Sequence, residues 1–267
     1  MTTDPVPAIT EADATGEIAD IYADIRASLG IGVVNLIWRH LATIEGALPW
    51  VWTALKPLYV SGAAARESRA LFEGLSLPEM PRFTDAALRI AGVPAADTAT
   101  VIAILDSYNR GNSFNLITLS ALSAAPSCEA PPGASVEPGI TTPIPALPGL
   151  DHLNDDVRRI ILALSEFGAK PGDRVIPSLY RHLAYWPGYL NLIWATIAPI
   201  HHDGRLETLI SNAHDAGLRH AARLTNQIEL GPPPPTASDA RSSIDEFRRS
   251  AISRMVPVAM IIRRMMG

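Results

Sequence analysis

Apolar residues along this chain recur at helical rather than strand spacing. Near the start, Ile18, Ile21, Tyr22 and Ile25 fall at i, i+3, i+4 and i+7, which is the stripe of an amphipathic helix. The same stripe returns far downstream, at Val157, Ile160, Ile161 and Leu164. Alternating strand-like runs are scarce, so the pattern predicts an all-α protein.

Two segments of the chain align without gaps as copies of one unit, residues 36–58 and residues 178–200. A tryptophan pair and a proline pair fall in register with a shared Arg-His-Leu-Ala sequence. The identical pairs are Arg39/Arg181, His40/His182, Leu41/Leu183, Ala42/Ala184, Gly46/Gly188, Leu48/Leu190, Trp52/Trp194 and Pro57/Pro199. We therefore predict two tandem, pseudo-symmetric helical repeats that pack face to face as an intramolecular pseudo-dimer, with any site between them.

The predicted boundaries follow from a proline-rich stretch between the copies. Residues 1–129 form repeat 1, residues 130–150 a linker, and residues 151–267 repeat 2. The linker favours an extended, polyproline-type strap, because proline prevents helix there. Its prolines are Pro131, Pro132, Pro138, Pro143, Pro145 and Pro148. An apolar helix over residues 101–125 has its expected repeat partner at residues 243–266.

Composition removes several classes of function. A net charge of −5 without a basic stripe argues against nucleic acid as a partner. No apolar run is long enough for a membrane helix, and the first residues lack a signal peptide's basic start, so we expect a cytoplasmic protein. Cys128 is the only cysteine, which excludes an internal disulfide and a multi-cysteine zinc site. A homodimer is compatible with these features.

Polar residues inside the predicted helices are the first candidates for chemistry. Asn109, Asn112 and Asn115 follow one another at i, i+3 in an otherwise apolar helix, where asparagine is a poor helix former. They predict either amides facing a ligand or a structural helix junction. Arg39 and Arg181 predict either a carboxylate clamp across the pseudo-twofold axis or a repeated structural ion pair.

Metal and nucleotide sites have no support in the sequence. His201 and His202 are adjacent and therefore point in different directions on a helix, and no further acid or histidine has ligand spacing. Gly-x-Gly-x-x-Gly and Walker-type loops do not occur. We expect no metal and no cofactor.

Taken together, the repeated Arg-His-Leu-Ala segment, residues 108–112 (Tyr-Asn-Arg-Gly-Asn), the proline-rich strap and the duplicated helical plan resemble the group I (DehI-type) 2-haloacid dehalogenases over essentially the whole chain. The resemblance implies a hydrolase of carbon–halogen bonds with a channel between the repeats. There, an aspartate of the second repeat activates a water that attacks a small 2-halogenated carboxylic acid directly. It also implies that no covalent ester forms and no cofactor is used.

One residue departs from the pattern that the resemblance implies. The family aspartate stands between a serine and a Tyr-Arg pair, and this chain has Leu179 at that place, with no acid from Val175 to His182. The nearest upstream acid, Asp173, is predicted to turn or cap a loop. The expected substrate-binding residues are Asn112, Ser178, Tyr180, Arg181, Asn191, Trp38 and Arg39.

Three functions therefore remain open from the sequence. The first is a dehalogenase-like hydrolase, whose base is missing at Leu179. The second is a non-catalytic or repurposed relative that binds an apolar small ligand. The third follows from residues 15–26, which also resemble the first helix of AhpD and carboxymuconolactone decarboxylase relatives; only a cofactor-free version fits, because AhpD chemistry needs a cysteine pair.

Overall fold

The computed structural model describes residues 5–127 and 138–267, and every regular element in them is helical. The all-α prediction is confirmed. The first half contains α1 Gly16–Leu29, α2 Leu36–Leu41, α3 Ala47–Val60, α4 Ala63–Gly74, α5 Asp85–Ile90 and α6 Thr98–Ala121. The second contains α7 Asp155–Glu166, α8 Ser178–His182, α9 Pro187–His202, α10 Arg205–Ala222, α11 Ala237–Phe247 and α12 Ser253–Met265.

Local sequence signals set the limits of the repeated first helices. Helix α1 buries Tyr22 and Ile25 and ends at Gly30, whose φ of 64° is a left-handed value and whose N–H bonds to the Arg26 carbonyl. Helix α7 is capped by Asn154, whose side chain accepts a hydrogen bond from the Val157 N–H at 2.9 Å. The two amphipathic stripes thus lie inward on helices of similar length.

The helices of the two halves follow one another in the same order. Helices α3 and α9 each contain a proline, Pro57 and Pro199, and each is followed by a glycine with a left-handed φ, 76° at Gly62 and 81° at Gly204. The two prolines are as many positions apart in the sequence as Arg39 and Arg181, and so are the two glycines. This order agrees with a tandem repeat, and the pseudo-twofold relation itself stays a prediction.

The closing helices of the two halves differ in a way that the sequence did not indicate. Helix α6 is continuous, whereas the helix expected over residues 243–266 is interrupted by a π-helical turn, Arg248–Ile252, between α11 and α12. Ser253 follows this turn, and its hydroxyl donates to the Arg248 carbonyl at 2.6 Å. The expected helix is therefore present through Met265, and the π turn within it, which no local pattern indicated, faces the cavity described below.

Two hydrophobic cores fill the molecule, and they do not divide at the linker. Val101 and Ile104 of α6 pack in one core with helices of the second half, while Phe114 and Ile117 of the same helix pack in the other. Ala213 of α10 belongs to that other core as well. Helices α6 and α10 therefore interlock the halves. The boundary at residues 129 and 130 lies outside the described residues, and the domain limits stay a prediction.

The described part of the strap, residues 138–149, is extended and is bonded to the α8 segment through its carbonyls. Pro145, Ala146 and Pro148 accept hydrogen bonds from His182 Nε2 at 2.7 Å, the Tyr185 hydroxyl at 2.8 Å and Arg181 Nη2 at 2.9 Å. Side chains thus satisfy a backbone that makes no helix. Cys128, Pro131 and Pro132 lie outside the described residues.

Among the described residues, no helix combines the length and the apolar character that are needed to cross a membrane.

Candidate functional site

A small cavity lies where α6 faces the segment that leads into α8. Its volume is about 40 Å³, enough for a few water molecules or a small organic group. Four parts of the chain form its walls: the start of α2, the middle of α6, residues 175–179, and the π turn with its neighbours. The lining residues are Asn35, Leu36, Ile37, Tyr108, Asn112, Asn115, Val175, Pro177, Ser178, Leu179, Phe247, Ala251, Ile252 and Met255.

The structure brings together only some of the residues predicted for the site. Asn112 and Ser178 line the cavity from opposite sides, with Leu179 next to Ser178. Tyr180, by contrast, is 1% exposed and packs in the second core. Asn191 is exposed on α9, on the side away from its buried residues. Neither Tyr180 nor Asn191 lines this cavity.

Trp38 lies behind the cavity wall and orients one of its amides. Its indole Nε1 donates to Asn115 Oδ1 at 3.1 Å, and the Tyr59 hydroxyl reaches the same oxygen at 3.4 Å. The Asn115 oxygen is therefore occupied, and its Nδ2 has no partner among the described residues. Asn35 Oδ1 is likewise without a partner in the described chain. Asn35 and Asn115 both line the cavity, and their amides have one donor atom and one acceptor atom that no described residue uses.

A glycine in α6 explains how Asn35 reaches this wall. A Cβ atom at Gly111 would overlap the Asn35 amide, so only glycine leaves room for it against the helix. Of the three asparagines predicted to share a face, Asn112 and Asn115 line the cavity. Asn109 instead donates to the Ala259 carbonyl at 3.3 Å.

Arg39 and Arg181 border a second, larger pocket outside the cavity, with a volume of about 1040 Å³ and the strap as one wall. Arg39 donates to the Val34 carbonyl at 3.0 Å and to Ser178 Oγ at 2.9 Å. Arg181 donates to the Pro148 carbonyl from both Nε and Nη2. Arg39 therefore orients a hydroxyl of the cavity, and Arg181 holds the strap.

Carboxylates are missing from the cavity. No aspartate or glutamate is among the described residues that line it, and Leu179 is 1% exposed. Asp173 lies in the preceding loop, where it accepts a hydrogen bond from the Val175 N–H at 2.9 Å and lies 3.5 Å from Arg254. Asp173 thus fixes the loop that carries Ser178 and does not reach the cavity.

Tyr108 connects the cavity to the outer pocket through a histidine. Tyr108 lines the cavity, its hydroxyl lies 3.2 Å from His182 Nδ1, and His182 itself borders the outer pocket. His182 Nε2 lies 2.7 Å from the Pro145 carbonyl, which can only accept. His182 therefore carries its proton on Nε2 when neutral, and its Nδ1 accepts from Tyr108.

Burial sets the ionisation of this pair. It raises the pKa of the Tyr108 phenol well above its ordinary value, although Arg39 and Arg181 act in the opposite direction. It lowers the pKa of the His182 imidazole below 6.5, although the bond to Pro145 favours the charged form. Both groups are therefore neutral at pH 7. The sequence drew attention to both stretches without indicating that Tyr108 and His182 meet, because they come from different halves.

Comparison with solved structures identifies the class of fold. The chain has the fold of the D-2-haloacid dehalogenases. A D-2-haloacid dehalogenase in complex with L-LA matches with a TM-score of 0.80 at 18% identity, covering 100% of this chain and 98% of that one. A mutant dehalogenase of the same kind gives 0.78 at 19% identity with the same coverage.

Relatives found by sequence similarity carry a more specific description than the solved structures do. A configuration-inverting 2-haloacid dehalogenase of Alcaligenes xylosoxydans xylosoxydans is 25% identical over 227 residues, which are 78% of this chain and 75% of that protein. One of Pseudomonas sp. (strain 113) with the same description is 30% identical over 120 residues, 45% of this chain and 39% of that protein. No family model matches the chain.

Proposed function

We propose that this protein is a cofactor-independent 2-haloacid dehalogenase-like hydrolase of the group I type. Its substrate is a small carboxylic acid with a halogen at carbon 2. The observation that carries the proposal is the cavity lined by Asn112, Asn115 and Ser178 within a dehalogenase fold, where the Asn115 amide nitrogen has no partner among the described residues.

The chemistry that fits this cavity is direct displacement by water. The water oxygen forms a bond to carbon 2 while the carbon–halogen bond breaks, and the halide leaves with the bonding electron pair. One water proton must pass to a base. Neutral amides suit the organic acid, since they bind its carboxylate or the departing halide without the desolvation cost of another buried charge. The cavity volume of about 40 Å³ is well below the roughly 150 Å³ that holds benzene, so it favours acids of two or three carbons.

Halide release from monochloroacetate and from each enantiomer of 2-chloropropionate tests the proposal. We expect release by the wild type, with inversion at carbon 2 in the chiral product. Asn112→Ala should lower kcat/KM by roughly 10-fold or more, as expected when a buried substrate contact is lost. Asn191→Ala is the matched control, because that amide is exposed on α9. Equal rates for the two variants would refute the placement of the site.

A second candidate function follows from Leu179 alone. Without a carboxylate at this wall, the cavity would hold a small ligand and perform no chemistry. In that case no halide is released, while 2-chloropropionate or its hydroxy product still raises the Tm of the wild type and not of Asn112→Ala.

A further inference from the structure

The cavity has amides and hydroxyls but no carboxylate, so a hydrolysis there needs another proton acceptor. Among the described lining residues, only Tyr108 and Ser178 carry groups that can pass on a proton; the others are amides, apolar side chains and a thioether. Ser178 Oγ accepts from the Arg39 guanidinium, which makes the hydroxyl a better donor and a poorer base. Tyr108, in contrast, is hydrogen-bonded to the imidazole of His182.

We propose that Tyr108 and His182 form a two-residue proton relay that replaces the missing carboxylate as general base. The inference rests on the proposed function, because it names the base of that same site. Its contacts are present in the structure: Tyr108 lines the cavity, its hydroxyl lies 3.2 Å from His182 Nδ1, and His182 Nε2 lies 2.7 Å from the Pro145 carbonyl, which leaves Nδ1 as the acceptor for the Tyr108 proton.

The proton balance of the relay closes without any other reactant. As the water oxygen bonds to carbon 2, a water proton passes to the Tyr108 oxygen, and the Tyr108 proton passes to His182 Nδ1. The halide leaves as an anion, and His182 becomes a cation. Because His182 also borders the outer pocket, the extra proton has a path to solvent. Tyrosinate never forms, which is consistent with the raised pKa of Tyr108.

The charged groups around His182 set the pH range of the relay. Arg39 and Arg181 disfavour the imidazolium and Glu11 favours it, while burial is the largest effect. The net lowering of the His182 pKa keeps the imidazole neutral and able to accept a proton throughout the physiological range. The relay therefore loses activity only as the pH falls through the lowered pKa of His182.

Tyr108→Phe is the decisive variant, because it removes one oxygen and leaves the bond from His182 to the strap in place. We expect kcat to fall by roughly 10²–10⁴-fold, the usual contribution of a general base, with KM little changed. His182→Gln should cause a similar loss. Tyr185→Phe is the matched control for the strap, since its hydroxyl donates only to the Ala146 carbonyl and lies outside the cavity; it should keep the wild-type rate and pH profile.

The pH profile separates a relay from a structural role. The acid limb of wild-type kcat/KM should lie below pH 6.5, at the lowered pKa of His182. Leu179→Asp in the Tyr108→Phe background should restore turnover and move the acid limb to that of a carboxyl group. If the role of the pair were only structural, a new carboxylate would not restore turnover with a shifted acid limb.

The outcomes distinguish this inference from the proposed function. Halide release that survives in Tyr108→Phe overturns the relay and leaves the dehalogenase function intact. Halide release by Leu179→Asp but not by the wild type also overturns it, since the pair then supplies no base. No release by either protein refutes the proposed function, and the relay with it. Loss in Tyr108→Phe with rescue by Leu179→Asp supports both.

Discussion

Replacing Leu179 by aspartate tests whether the cavity wall is dry and uncharged. Leu179 is 1% exposed, and the described lining contains no lysine, arginine or histidine that could pair with a new carboxylate. The lining offers a charge placed there only neutral donors, the amides of its asparagines and the hydroxyls of Tyr108 and Ser178. The substitution should therefore cost stability through two separate terms.

The first term is the lost leucine side chain. Removing a buried leucine costs about 2–5 kcal/mol, including the space left behind. The second term is the buried charge. At pH 7 the cost of burying this charge is limited to about 4 kcal/mol. The carboxyl group has an unfolded pKa near 3.9, about three pKa units below pH 7, and each unit corresponds to about 1.4 kcal/mol. Above that cost the group protonates instead. Leu179→Asn carries only the first term and is the matched control.

The sign of the pH dependence follows from burial. Burial raises the folded-state pKa of the new carboxyl group above its unfolded value. The extra cost of Leu179→Asp over Leu179→Asn is therefore complete above the folded-state pKa and disappears as the pH falls toward about 4. Urea unfolding of both variants at pH 7.5, 5.5 and 4.5 measures it. We expect a difference of roughly 2 kcal/mol at pH 7.5 that shrinks with acid. Equal unfolding free energies at all three values would refute a dry wall at this position.

Three further substitutions have outcomes fixed by local contacts. Tyr189→Phe should leave stability unchanged or raise it by about 1 kcal/mol in a thermal melt, because the buried hydroxyl has no partner among the described residues. Gly111→Ala should displace Asn35 and raise KM without unfolding the protein; an unchanged KM would show that Asn35 is not needed. Glu67→Gln should cost about 3 kcal/mol in urea unfolding, since Glu67 is fully buried and accepts from His220 at 2.8 Å. In the wild type, the partners of Glu67 hold its pKa below 4.5 despite burial. The stability that ionised Glu67 contributes should therefore be lost as the pH falls from 4.5 through the lowered pKa, whereas Glu67→Gln should show no such loss.

The sequence predicted the features that depend on periodicity and register. Apolar stripes at helical spacing gave the helices, since burial of one face is what stabilises them. The family resemblance implied that Asn112 and residues 178–181 would come together, and the structure places Asn112, Ser178 and Leu179 around one cavity. The same resemblance implied an acid at the position of Leu179.

Rotation within a helix decided which neighbours of these residues reach the cavity. Tyr180 follows Leu179 by one position on α8, a turn of about 100°, and therefore faces the core. Asn191 lies among Leu190 and Ile193, whose buried faces leave it outside. Such orientations depend on where each helix axis lies. A short aligned segment does not contain that information.

Contacts between distant segments were beyond sequence reasoning. The approach of Asn35 to Gly111 and the bond between Tyr108 and His182 each join residues that are more than seventy positions apart. The π turn depends on how the closing helix packs against α6, and no local pattern of residues 243–266 indicated it. These features follow from tertiary packing, which overrides local propensity.

The unpaired amide atoms bear on whether the cavity binds an apolar ligand or a polar one. Each buried polar group without a partner costs about 1–3 kcal/mol, and apolar residues of similar size would avoid that cost. Asn115 and Asn35 both line the cavity, and Asn115 Nδ2 and Asn35 Oδ1 have no partner among the described residues. Trp38 holds the Asn115 amide with its nitrogen free. An apolar ligand would leave both atoms unsatisfied, whereas a carboxylate with an attacking water would satisfy the donor and the acceptor together. A hydrolase is therefore the better account of these amides, and because Leu179 supplies no carboxylate, Tyr108 and His182 are the proposed base.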